Sequence, residues 1–212
     1  MIINSIVSAP SDGIEPPSDT FDKLSYIQTD GSSSYVPLCI SLSSYHIITA
    51  EFELLTIKDQ VLFGGRAMAT TYREVAFCST SNADISYQIG SGNTAVNASN
   101  ISMSTNTRYI VKFENGKITV NGTAYTGTTG GAFASVNRPC MQLFHFYSNT
   151  TSDSRWWHGK LYRFDIDKIN NVTNEAIPYR HYIPVKRKSN NQILLWDKVL
   201  GMEWWTGNCT GG

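Results

Sequence analysis

The sequence predicts an all-β protein: two antiparallel sheets packed as a jelly-roll sandwich, with an extended N-terminal arm. Three observations predict it. Residues Lys160–Asp167 alternate apolar and charged side chains, as a pleated strand with one buried face requires. Two Asn-Gly pairs, Asn115-Gly116 and Asn121-Gly122, sit between short β-branched and aromatic runs. Asn-Gly accepts the positive φ of a type I′ hairpin turn, so the pairs predict a three-stranded meander. No segment sustains a helical period.

In chain order, residues 1–22 carry Pro10, Pro16 and Pro17 among Ser, Asp and Gly and show no periodic apolar face. Ordering such a segment costs ~1–2 kcal/mol per residue in backbone entropy. It therefore frays or is laid against something else. Read as a docking arm, its adhesive residues are Ile2, Ile3, Ile6 and Val7. The sandwich is expected over residues 23–212.

Strands are expected at Lys23–Gln28, followed by a turn at Thr29–Ser32, and at Ser34–Ile40, where Pro37 belongs on an edge or bulge. In Tyr45–Leu54, Ile48, Ala50, Phe52 and Leu54 share one face and Glu51 and Glu53 the other. Gln60–Arg66, Tyr72–Cys78 and Ile85–Ile89 complete the first half. Residues 90–107 are polar, a surface loop or a pair of short polar strands. The meander takes Arg108–Glu114, Lys117–Val120 and Thr123–Tyr125, and Cys140–Tyr147 adds a strand. In Lys160–Asp167 the alternation buries Tyr162, Phe164 and Ile166 and exposes Arg163, Asp165 and Asp167. A crossing then leads to Tyr182–Arg187, and Gln192–Asp197 follows.

Composition bounds the function. Charged residues are 16% of the 212, below the ~25% usual for soluble domains. Lys and Arg together equal Asp and Glu, so there is no basic excess for nucleic acid or an anionic membrane surface. No apolar run approaches the ~20 residues of a membrane-spanning helix. Met1–Pro10 lacks the basic start and unbroken apolar core of a secretory signal. A polar, aromatic-rich composition of extracellular type, without an export signal, fits a virus-particle component made in a host cytoplasm. It also fits a fragment of a larger exported protein. Cys39, Cys78, Cys140 and Cys209 form no Cys-x-x-Cys pair; the first three lie in apolar strand patterns and read as buried free thiols.

Six stretches, in order across residues 24–212, resemble the laminin-G-like, concanavalin A-like sandwich domains of bacteriophage structural proteins and gut-bacterial surface proteins. They are Tyr26–Gly31 with Tyr35, Leu62–Arg66, Gly159–Ile166, Tyr182–Val185, Leu195–Val199 and Trp204–Gly207. The resemblance implies the sandwich fold, which hosts lectins, glycosidases and structural parts alike. It also implies a non-enzymatic structural or adhesive part of a phage particle, in a capsid decoration, head fibre or tail. Such a part would meet other virion proteins through the arm, self-associate (a trimer as first expectation) and bind a host-surface glycan. A carbohydrate-binding module of a bacterial surface protein is the alternative, and a glycoside hydrolase a weaker one.

The chemistry agrees with a non-catalytic reading. Glu51-Phe-Glu53 resembles the β-glucanase strand Glu-x-Asp-x-x-Glu, but the middle acid is Glu and Thr56 stands where the last carboxylate belongs. Retaining hydrolysis needs carboxyls ~5–5.5 Å apart. Glu51 and Glu53 could approach that spacing, yet acids on the polar face of a strand are ordinary. Asp165 and Asp167 read the same way. The four His residues have no ligand spacing, and no cofactor is expected. The fold class often holds a calcium ion bound by loop oxygens; Asp30, Asp84 and Asp153 lie in or beside loops, but no Asp-x-Asp loop pattern marks a site. In Trp156-Trp157 and Trp204-Trp205, adjacent side chains point opposite ways on a strand. At most one of each pair fills the core comfortably; either both rings pack at a sheet rim, or the second serves as a glycan or interface platform. Trp156, beside the polar loop Asn149–Arg155, is the first choice for that role.

Overall fold

The structure is a computed structural model. It describes residues 13–38, 40, 42–43, 45–66, 73–79, 84–88, 95–98, 101–127, 141–145, 147–148, 155–206 and 209–211. The strands among these are β1 (Phe21–Lys23), β2 (Ile27–Gln28), β3 (Val36–Pro37), β4 (His46–Leu54), β5 (Gln60–Arg66), β6 (Arg73–Ser79), β7 (Asp84–Gln88), β8 (Ala95–Ala98) and β9 (Arg108–Glu114). They continue with β10 (Lys117–Val120), β11 (Thr123–Thr126), β12 (Gln142–Leu143), β13 (Tyr147–Ser148), β14 (Gly159–Ile169), β15 (Ala176–Arg187), β16 (Ile193–Asp197), β17 (Met202–Trp205) and β18 (Thr210–Gly211). No helix occurs among the described residues, and none is long and apolar enough to cross a membrane.

Two sheets result, as the sequence predicts. The larger runs β11-β10-β9-β4-β14-β15-β16-β17, with β1 on β15 and β2 linking β14 to β18. The smaller runs β3-β12-β5-β6-β7-β8. Its β13 lies parallel to β5; the other ladders are antiparallel. The expected face of β4 is the buried one, with Ile48, Ala50, Phe52 and Leu54 all in the core. The sheets meet through aromatic rings. Phe63 of β5 packs edge-on against Phe113 of β9 at 5.3 Å and Phe164 of β14 at 5.4 Å, and Tyr87 of β7 lies 5.3 Å from Phe113. Burying each such ring is worth ~1.5–3 kcal/mol, with about 0.5–1.5 kcal/mol more from each well-placed aromatic pair.

The central strand corrects the simple alternation. Leu161 pairs with Phe52, but it is Arg163 that pairs with Glu51, so Tyr162 is an extra residue in a β-bulge. Leu161 therefore takes the core place assigned to Tyr162, while Phe164 and Ile166 stay inside. Tyr162 joins the charged outer face. The crossing expected after Asp167 is instead a tight antiparallel hairpin. β15 begins at Ala176, and a second irregularity between Ile166 and Asp167 accommodates the pairing of Asp167 with Pro178.

The meander forms as expected in β9, β10 and β11. Asn121 (φ 47°) and Gly122 (φ 87°) both have positive φ, as a type I′ turn demands. At the first turn only Gly116 (φ 76°) does, so that turn departs from type I′.

Residues 13–23 lie against the sandwich itself. Ile14 N–H donates to the Lys198 carbonyl at 2.6 Å, and the Ile14 carbonyl accepts from Trp196 Nε1 at 2.7 Å. Phe21 opens β1 and packs on Trp196 at 5.3 Å, in a second small cluster with Val185 and Leu194. Ile2, Ile3, Ile6 and Val7 lie outside the described residues.

Candidate functional site

The carboxylates of the large sheet's outer face are bound up with its own cations. Glu51 is ion-paired with Arg108 at 2.8 Å. Glu53, 8% exposed, accepts from Lys160 Nζ at 2.8 Å and from the Tyr162 hydroxyl at 2.9 Å. The Lys160 hydrogen bond outweighs burial and holds the Glu53 carboxyl below its usual range. The bulge that turns Tyr162 outward is what brings its hydroxyl to Glu53. The nearby rings are covered as well: Arg108 lies 4.0 Å over Tyr162, and Lys160 lies 5.1 Å from the Tyr26 ring centre.

Asp165 is 2% exposed and paired with Arg163; burial pushes its carboxyl up despite that partner. Asp167 meets His181 Nε2 at 2.8 Å, and this contact raises the imidazole pKa above its ordinary value. The four acids singled out in the sequence thus pair with Arg108, Lys160, Arg163 and His181.

The tryptophans divide. Trp157 is fully buried and packs edge-on against Phe52 at 5.1 Å, which corrects its place among the platform candidates: a ring closed off by the core meets no ligand. Trp156 is half-buried and stacks on His145 at 3.8 Å. Trp204 is half-buried against the core, edge-on to Tyr182 at 6.2 Å. Trp205 pairs with Leu194 through its backbone; its side chain lies outside the described residues.

Among the described residues no cluster of three or more His, Cys, Asp or Glu is arranged to hold a metal ion. Asp30, a loop candidate for calcium, spends both carboxylate oxygens locally. Oδ1 accepts from the backbone of Ser32 (2.9 Å) and Ser33 (3.0 Å), and Oδ2 from their hydroxyls (2.9 and 2.7 Å). Burial works to raise its pKa, but these bonds together pull it far below the usual carboxylate range. Asp84 is half-buried, and Asp153 lies outside the described residues. Cys209 is a buried free thiol, pushed up to about 12 by burial. Cys39 and Cys140 lie outside the described residues, as does the side chain of Cys78.

A feature that suits a ligand was not singled out by sequence reasoning. It is an open cleft of about 460 Å³ at one end of the large sheet, lined by Tyr45, Asn115, Ile169, Asn171 and Asn174. The fold assembles it from three places. Tyr45 precedes β4, Ile169 ends β14, and Ile169 N–H donates to the Tyr45 carbonyl at 2.8 Å. Asn115 comes from the β9–β10 turn. Asn171 and Asn174 come from the β14–β15 loop, which binds itself into shape. Asn170 Oδ1 accepts from Val172 N–H at 2.9 Å, Asn174 N–H donates to the Asn170 carbonyl at 2.8 Å, and Asn170 N–H donates to the Glu175 carbonyl at 2.8 Å. Asn174 takes the left-handed conformation (φ 59°) that Asn tolerates better than most residues. Tyr45 is 50% exposed. An aromatic face beside amides that both donate and accept is chemistry suited to a polyhydroxylated ligand. The available signal was the run Asn170-Asn-Val-Thr-Asn174 between two strands.

No family model matches the sequence, and no curated protein matches it. Among solved structures, the chain is similar to a native heptameric SAP-like pentraxin from Limulus polyphemus. Identity is 9%, the TM-score is 0.40, and 73% of each chain is covered.

Proposed function

We propose that the protein is a non-enzymatic adhesive part of a bacteriophage particle that contacts host-surface glycans. The observation that carries the glycan contact is the end cleft, where an exposed tyrosine ring stands beside three asparagine residues. The non-enzymatic reading is supported by Glu51, Glu53, Asp165 and Asp167, each engaged by a cation or imidazole of its own sheet. The phage setting rests on the six stretches that resemble sandwich domains shared by bacteriophage structural proteins and gut-bacterial surface proteins, together with the expected N-terminal docking arm. In that setting the arm to other virion proteins is the stretch ahead of the packed residues 13–23, acting through Ile2, Ile3, Ile6 and Val7, and the chain assembles as a homotrimer. Trp156, stacked on His145 at the surface, serves as an interface platform.

The cleft would serve a carbohydrate-binding module of a bacterial surface protein equally well, so assembly is the discriminating property. Light scattering on the purified chain should give a trimer with glycan binding. A lone monomer that binds glycan would move the protein to the module class. Release of reducing sugar from a polysaccharide panel, abolished by Glu51→Gln, would make it a hydrolase instead.

A further inference from the structure

We infer that the Tyr45 cleft takes an uncharged pyranose, seated with its C–H face on Tyr45 and its hydroxyls on the amides of Asn171 and Asn174. This rests on the glycan reading above and narrows it to a ligand class and a location.

Four observations support the assignment. First, the Tyr45 ring is available. The rings of Tyr162 and Tyr179 lie 4.0 and 4.3 Å beneath guanidinium groups of the chain, and Tyr26 faces Lys160. Among the described residues no cation covers Tyr45, which is half exposed at the cleft edge. Second, the side-chain amides of Asn171 and Asn174 make no hydrogen bond among the described residues. Each offers donors and an acceptor together, the pattern that matches adjacent hydroxyls.

Third, no lining residue is charged. The charges flanking Asn115 are already paired: Glu114 meets Lys117 at 2.7 Å and Lys112 at 3.3 Å. A carboxylated or sulfated sugar would lose water here without gaining a cation, which is costly. A wholly apolar ligand would strand the amides. Fourth, the loop is held by its own hydrogen bonds before any ligand arrives, which lowers the ordering cost of binding. The volume lies within the ~300–1,000 Å³ usual for small-ligand sites.

The test is titration calorimetry on the full chain with two sugar series, each as methyl glycoside and as polysaccharide. One series is neutral (mannose, galactose, glucose, N-acetylglucosamine); the other is charged (glucuronic acid, sialic acid, sulfated galactose). The expected result is binding within the neutral series, insensitive to salt between about 0.1 and 1 M. Binding should fall about tenfold or more in Tyr45→Ala and persist in Tyr45→Phe, which keeps the ring. Asn171→Ala should weaken it severalfold. Binding of charged sugars alone, or a steep salt dependence, overturns the uncharged class and leaves the glycan reading standing. Neutral binding that survives Tyr45→Ala in full overturns the location. If neither series binds, this inference and the glycan reading fall together.

Discussion

Tyr162 shows how a single residue reshapes this molecule. Counting by twos from Phe164 places it in the core, yet it points outward, donates to Glu53 and carries Arg108 on its ring. The alternation was legible in the sequence; the bulge was not, because an extra residue leaves no mark in composition. Substitution separates the two arrangements. Leu161→Ala should cost about 2–5 kcal/mol in urea unfolding, as a core deletion does, and Tyr162→Ala about 1 kcal/mol or less. The reverse order would restore the simple alternation.

His181 sets a pH dependence. Its folded-state pKa is raised above the ordinary histidine value by the Asp167 hydrogen bond, against burial. Its contribution to stability is therefore complete below the unfolded pKa and is lost as pH rises through the higher folded value. Melting temperature should fall across that window, and His181→Gln should remove that part of the fall. Glu53 acts at the other end. Its lowered pKa gives stability that is present above about 4.5 and lost as pH drops through the folded value. Glu53→Gln should flatten the acid limb of the same curve.

Among elements, the hairpins were readable to different degrees. The β9–β10–β11 meander was explicit, because Asn-Gly encodes its turns locally. The β14–β15 hairpin was hidden, because Pro178 and the polar run Asn170–Glu175 resemble a long crossing. Only tertiary pairing, with a strand irregularity opposite the proline, makes it a ladder. That same hairpin loop supplies two asparagines of the cleft, so missing the element meant missing the site. The start of β14 is tightly specified. A Cβ on Gly159 would come within 2.4 Å of the Glu53 carbonyl and 2.7 Å of Trp157 Nε1. Gly159→Ala should destabilise by about 1–3 kcal/mol, read as a lower urea midpoint. Gly122, whose Cβ would meet nothing within 4 Å, is the control for space, although its φ of 87° still disfavours a side chain.

At the scale of the whole molecule, the sandwich is fastened where Phe63 meets Phe113 and Phe164 across the sheets. Phe63→Ala should cost about 3–5 kcal/mol and lower stability cooperatively, as loss of one shared core would. Residues 14–23 contribute hydrogen bonds, a strand and Phe21, so their removal should bare Val185 and Trp196 and lower the melting temperature. The two-sheet architecture was legible because alternation and turn chemistry are local. The cleft was not, because it joins residues from the start of β4, the β9–β10 turn and the end of β14, distant in sequence.

Where a sugar touches the protein is the most direct test of the Tyr45 cleft. Amide chemical shifts, followed while a neutral polysaccharide fragment is added, should move at Tyr45, Asn115, Ile169, Asn171 and Asn174. Shifts gathered instead around Trp156 and His145, or on the Glu51–Glu53 face, would contradict it.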